Sequence, residues 1–172
     1  WMLSDSMGYI PNYSLVTLKC NEFDSEITNV YQAGRLLQFG DNAEFSITTK
    51  TIFGNSESAI VEFSFTNKTN KSLMLNFEGQ FGGERIIEGN NSNFCYSSTN
   101  SHLLITLTGK SVFENNKVLF SEKISAKSTT KRYCTISHFF ENDEVLLFHD
   151  GDIENLFSAN KERWKTYMHP YR

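Results

Sequence analysis

His149, Asp150 and Asp152 stand together in the run FHDGDIE and offer one imidazole and two carboxylate groups within four positions. Oxygen-rich clusters of this kind suit a hard cation. The run lacks the bidentate Glu that a calcium loop carries at its twelfth position. It reads instead as a polar loop entering a helix, with Asp150 or Asp152 as N-cap, and no metal site is expected. Gly109-Lys110-Ser111 mimics the end of a phosphate loop. Leu104 occupies the place where such a loop needs its first glycine, and strand-like residues follow where a helix should start. The glycines of EGQFGGERIIEG have the wrong spacing for a dinucleotide fingerprint and read as a turn. Glu84, Glu88, Asp143 and Glu144 could supply paired carboxylates for glycoside hydrolysis, but none stands out. His102, His138, His149 and His169 are scattered, and no Gly-x-Ser-x-Gly or His-Glu-x-x-His occurs. No catalytic motif stands out among these residues, and no cofactor is expected.

Charge and cysteine usage narrow the partners. The net charge is −4, and the longest basic run, Lys131-Arg132, reads as a solvated pair. That is too little to track a phosphate backbone, so nucleic acid is not an expected partner. Cys20, Cys95 and Cys134 are isolated and odd in number, which predicts buried free thiols and no zinc or disulfide framework. No apolar run is long enough to span a bilayer. Asn12, Asn67, Asn70 and Asn90 match the glycosylation acceptor pattern, which arises readily in so Asn-rich a chain. Trp1, Tyr9, Tyr13 and Tyr96 are the aromatics placed to stack on sugar rings, with packing as the simpler role for each. The first residue is Trp1 rather than Met, so the chain is expected to be a processed or excised piece of a longer protein.

Short strand patterns must position whatever function exists. With 172 residues, 39% hydrophobic and 21% charged, the composition is that of a globular domain rich in Phe (15) and poor in Pro (2). Ile60 to Thr66 alternates, with Val61, Phe63 and Phe65 on one face. After the polar NKTNKS, Leu73, Leu75 and Phe77 share a face, which predicts a hairpin between the two runs. Leu103, Ile105 and Leu107 repeat the pattern. Roughly ten such strands without intervening helices exclude alternating β-α-β architecture. The expected fold is mostly β: an antiparallel two-sheet β-sandwich over residues 1–148, of the supersandwich type, followed by one C-terminal linker helix over 149–172. In that helix Ile153, Leu156, Phe157, Trp164, Tyr167 and Met168 form one stripe. Such a stripe requires a cover, from the sandwich, another domain or a second copy. Trp164 is therefore expected to be buried.

The tail RYCTISHFFENDEVLLFHDGDIENLFSANKERWKTYM resembles the segment that joins the N-terminal β-sandwich to the catalytic barrel in bacterial relatives of glycoside hydrolase family 63. The matching strand residues are Tyr133, Thr135, Ser137 and His138; the helix end matches at Arg163-Trp164 and Tyr167. Trp1 and the turn from Gly8 to Pro11 are also similar. The resemblance implies an inverting enzyme acting on α-linked sugars. Its acid and base lie in an (α/α)6 barrel that would follow this chain. The chain itself would be a non-catalytic accessory domain that packs on the barrel and shapes the rim of its pocket. The six stripe residues would be interdomain packing, and the compartment would be periplasmic or extracytoplasmic. The alternative reading is a stand-alone carbohydrate-binding module or lectin-like sandwich that binds an oligosaccharide; a purely adhesive sandwich is the third.

Overall fold

The computed structural model describes residues 4–5, 8–9, 16–32, 34–53, 58–81, 86–89, 93–97, 102–114, 117–139 and 150–168. The strands are β1 (Ser4–Asp5), β2 (Gly8–Tyr9), β3 (Val16–Cys20), β4 (Ile27–Gln32), β5 (Arg35–Asp41), β6 (Phe45–Phe53), β7 (Ser58–Asn67), β8 (Leu73–Phe81), β9 (Ile86–Gly89), β10 (Asn93–Ser97), β11 (His102–Leu107), β12 (Val112–Glu114), β13 (Lys117–Ile124) and β14 (Thr129–Phe139). One helix follows, α1 (Asp150–Met168). An eight-stranded sheet runs β4-β5-β6-β7-β14-β11-β10-β9, a four-stranded sheet runs β12-β13-β8-β3, and β1-β2 form a short ribbon. Every pairing is antiparallel. The molecule is thus the mostly β, two-sheet sandwich with a C-terminal helix that the alternating pattern predicts.

The core lies between the two sheets and follows from period-2 alternation. Phe63 and Phe65 of β7, Ile105 and Leu107 of β11, and Cys134 and Ile136 of β14 point inward from the large sheet. Leu75 and Phe77 of β8 and Val118, Phe120 and Ile124 of β13 meet them from the small sheet. Aromatic rings bridge the layers: Phe65 and Phe77 have centroids 4.6 Å apart, and Phe77 and Phe120 4.7 Å. Cys20 and Cys134 are buried thiols, pushed up by desolvation to about 11 and about 12. They remain protonated and pack as small apolar groups.

Two expectations need correction. The hairpin predicted between β7 and β8 does not form: β7 pairs with β6 and β14, and β8 pairs with β13 and β3. Residues 68–72 instead cross from one sheet to the other, so that both strands turn their apolar faces to the same core. The connection from β13 to β14 crosses beside it, and Asn67 ties the two crossings together. Its Nδ2 donates to the carbonyls of Lys71 (2.7 Å), Ser125 (3.0 Å) and Ile124 (3.1 Å), while its Oδ1 accepts from the Thr69 amide (2.8 Å) and hydroxyl (2.9 Å). The buried Nδ2 is thereby committed to the fold.

The second correction concerns Lys131-Arg132, which is not a solvated pair. Strand alternation sends the two side chains to opposite faces. Lys131 stays on the outer face, whereas Arg132 is buried between the sheets. There its Nε pairs with Glu122, its Nη2 donates to the Lys110 carbonyl at 2.9 Å, and its guanidinium lies 4.3 Å from the Phe120 ring centroid.

Candidate functional site

The outer face of the large sheet carries the helix that the tail predicts. Residues paired across an antiparallel ladder share a face, so Ile52 of β6, Ile60 of β7 and Tyr133 of β14 lie on the side away from the core. Ile153 of α1 is buried among them, with Leu156 and Phe157 packed beside it. The Tyr133 and Phe157 rings are tilted, with centroids 6.4 Å apart. One helical turn further, Asn160 is buried in the same stripe. Trp164 ends the seat over Gly34, in the turn between β4 and β5. Gly34 has φ +75, and a Cβ there would stand 1.7 Å from the Trp164 Nε1. Asp152, Glu154, Lys161, Glu162, Arg163 and Lys165 remain exposed, which gives the helix a charged outer face. The helix begins at Asp150, so Asp152 lies within its first turn, where the dipole favours a carboxylate.

Beneath the helix edge sits an ion-pair cluster. Glu62 of β7 is 5% exposed and lies between Lys50 of β6 and Lys131 of β14. Its two oxygens accept from Lys50 Nζ at 2.7 Å and Lys131 Nζ at 3.0 Å. Burial raises the affinity of this carboxylate for a proton, but the hydrogen bonds and charges of the two lysines outweigh it and hold its pKa below the ordinary value of 4.5. The same hydrogen bond, set against partial burial, raises the pKa of Lys131. Tyr133, whose pKa burial raises, donates from its hydroxyl to Glu154 Oε1 at 3.3 Å and so joins the cluster to the helix.

The cluster sets an acid limit on stability. Because the folded-state pKa of Glu62 is depressed, its contribution is complete above the unfolded value near 4.5 and is lost as pH falls through the folded value. Glu62→Gln should cost about 1–2 kcal/mol at pH 7, since the charged hydrogen bonds are lost but both lysines reach water. It should also flatten the fall in stability below pH 4.5. Urea unfolding between pH 3 and 7 reads both effects; parallel curves for variant and wild type would remove the cluster from the acid limb.

Of the sugar-stacking candidates, Tyr9 lies in β2, and Tyr96 lies in β10 opposite Leu103 and Ile86. Trp1 and Tyr13 lie outside the described residues, as do His149, His169, Glu84, Asp143 and Glu144. Among the described residues no three His, Cys, Asp or Glu side chains gather to hold a metal. Among the same residues no helix is long and apolar enough to cross a membrane. Tyr167 and Met168 close α1. The sequence spacing missed Asn160, which sits seven residues after Ile153 in the gap between Phe157 and Trp164. It also missed the Lys50–Glu62–Lys131 cluster, whose members come from three strands. Only the strict alternation of β6, β7 and β14 could have placed those three side chains on one face.

Two solved structures are similar to this chain. A protein from the human microbiome, assigned as a kojibiose phosphorylase, matches 91% of this chain at a TM-score of 0.50 and 9% identity. The likeness is one of fold. The match spans only 24% of that protein, so about a quarter of the larger chain corresponds to nine-tenths of this one. A protein from Escherichia coli K12 assigned as an aldose 1-epimerase matches 67% of this chain and 69% of its own length, at a TM-score of 0.49 and 7% identity. No family model and no curated protein sequence matches the chain.

Proposed function

We propose that this chain is the non-catalytic β-sandwich domain of a larger sugar-processing enzyme, one that cleaves α-linked sugars with inversion in an (α/α)6 barrel. The observation that carries the reading is the correspondence of nine-tenths of the chain to a quarter of a protein assigned as a kojibiose phosphorylase. The resemblance of the tail, from Tyr133 through Arg163-Trp164 to Tyr167, to the sandwich-to-barrel connection of glycoside hydrolase family 63 relatives supports it independently. In this reading residues 1–148 are the sandwich and 149–172 the connection. Ile153, Leu156, Phe157 and Trp164 hold the connection against the sheet, while Tyr167 and Met168 continue the stripe toward the barrel. The charged outer face of α1 then meets barrel or solvent, and loops of the sandwich shape the pocket rim. The acid and base belong to the barrel.

Two measurements test this. The gene should continue in frame past the Arg172 codon into a catalytic domain, and the 172-residue chain alone should leave p-nitrophenyl α-glucoside unhydrolysed while the complete gene product cleaves α-linked disaccharides. Turnover by the isolated chain, or a stop codon directly after Arg172, would sink the proposal. The fold likeness to the phosphorylase makes phosphorolysis the second reading. Inverting attack by water releases β-glucose, whereas inverting attack by phosphate releases β-glucose 1-phosphate. Proton NMR of the first products, with and without phosphate, separates the two.

A further inference from the structure

The large sheet extends beyond the small one. No residue of β4 or β5 belongs to the core cluster, although the rows of side chains that form it continue across them. Asn29 of β4, Gln38 of β5 and Thr49 of β6 are in register with Phe63 of β7 and share its face. On this overhang the three polar side chains form a ladder. Gln38 Nε2 donates to Asn29 Oδ1 at 3.0 Å, and Thr49 Oγ1 donates to Gln38 Oε1 at 3.0 Å. Beside the ladder stands Tyr31, 87% exposed, and on its other side Ile27, 55% exposed. At the Ile27 end the absent side chain of Gly40 admits the Phe23 ring, whose Cζ lies 2.5 Å from where a Cβ would stand. An apolar floor therefore adjoins the ladder.

Charge is segregated on these strands. Arg35, Asp41 and Lys50 are the only ionisable acids and bases of the Asp, Glu, Lys and Arg types in β4, β5 and β6. Their registers with Ile52, Ser46 and Glu62 place all three on the outer, helix-bearing face. On these three strands the overhang thus presents an exposed aromatic ring, a line of neutral amides and a hydroxyl, and no formal charge. A neutral polyhydroxylated ligand fits that combination. The C–H face of a pyranose lies on the Tyr31 ring, and an amide offers a donor and an acceptor to neighbouring hydroxyls. Gln38 spends one of its two N–H groups on Asn29, and Asn29 keeps its own amide group for a ligand. Three strands spaced about 4.8 Å apart give the ladder a length of roughly 10 Å, enough to meet more than one sugar ring.

We infer that this overhang binds neutral oligosaccharide, with Tyr31 as the stacking platform and Asn29, Gln38 and Thr49 as the hydrogen-bonding line. The inference goes beyond the accessory-domain reading and rests on it only for the choice of ligand panel. The test is calorimetric titration of the 172-residue chain with maltotriose, kojibiose and cellotriose. At least one should bind saturably. Tyr31→Ala should weaken that binding about tenfold, equivalent to 1.4 kcal/mol, and Gln38→Ala by several-fold, with unfolding midpoints unchanged. Met74→Ala, an exposed apolar residue of β8 on the small sheet, should leave binding intact and serves as control. Flat titrations across the panel, or equal affinity in the Tyr31→Ala protein, would overturn the inference. So would a dimer of the chain, seen by sedimentation, that Tyr31→Ala dissociates, because the face would then belong to a second copy. A complete enzyme that cleaves α-linked sugars while this chain binds none would overturn the site and leave the accessory-domain reading standing.

Discussion

Asn67→Ala should cost about 3–5 kcal/mol and lower the thermal midpoint by roughly 10 °C. The side chain is 1% exposed and completes hydrogen bonds to three carbonyls and to both the amide and hydroxyl of Thr69. Alanine leaves those groups without the amide that joins them, and an unpartnered buried polar group costs about 1–3 kcal/mol. Water that enters the vacated space recovers part of the loss, which keeps the total below the simple sum. Against a total stability of about 5–15 kcal/mol this is a large fraction. The loss has a structural meaning, because Asn67 joins the two chain segments that cross between the sheets. The backbone supports the same junction: the Asn67 amide donates to the Ser128 carbonyl at 2.9 Å, and the Lys127 amide to the Thr69 carbonyl at 3.1 Å.

Asn67→Asp separates hydrogen bonding from shape. Aspartate has nearly the same outline but turns the Nδ2 donor into an acceptor facing the Lys71, Ile124 and Ser125 carbonyls. Buried among oxygens, its folded-state pKa lies above the unfolded one. Stability should therefore recover as pH falls through that raised value, since the neutral acid regains one donor. Chemical denaturation of Asn67→Ala and Asn67→Asp at pH 7 and pH 4 distinguishes the two effects. If both variants were equally unstable at both values, the junction would depend on packing alone.

The strands were legible because their residues alternate, and the core because Phe63, Phe65, Leu75 and Phe77 obey that alternation. What pairs with what was less legible. A polar run of residues 68–72 serves equally well to fold a strand back on its neighbour or to carry it to the opposite sheet. The choice depends on β13, about fifty residues away, whose carbonyl at Ile124 meets the Asn67 side chain. The same distance effect hid Arg132. Beside Lys131 it looks like half of a surface pair; its register turns it inward, and the Glu122 carboxylate, the Lys110 carbonyl and the Phe120 ring, all distant in sequence, make burial tolerable. The helix was visible from the change of period near Asp152, and Ile153, Leu156, Phe157 and Trp164 do lie against the sheet. Asn160 interrupts the apolar spelling of that stripe without leaving its geometry. The overhang was invisible because Tyr31 reads as one more strand aromatic until the width of the opposing sheet is known.

Gly34→Val should destabilise the chain by about 2–5 kcal/mol and lift Trp164 off the sheet. Two costs combine. At φ +75 a β-branched residue is strained, by about 1–2 kcal/mol. A side chain forced into the space of the Trp164 ring adds about 1–3 kcal/mol. Backbone strain stays whether or not the indole is there, whereas the steric cost disappears with it. In a Trp164→Ala background Gly34→Val should therefore cost only the strain, and the cycle should show a coupling of about 1–3 kcal/mol. With Trp1 changed to Phe, leaving one indole, emission should shift to longer wavelength in Gly34→Val as Trp164 enters water. The outcome bears on how the domain joins its neighbour. Strong coupling means that the sandwich itself holds the connecting helix in a set direction, so whatever follows Met168 departs from a fixed point on the sheet. Zero coupling, with unchanged emission, would detach the C-terminal half of the helix from the sandwich and free its stripe for another domain to cover.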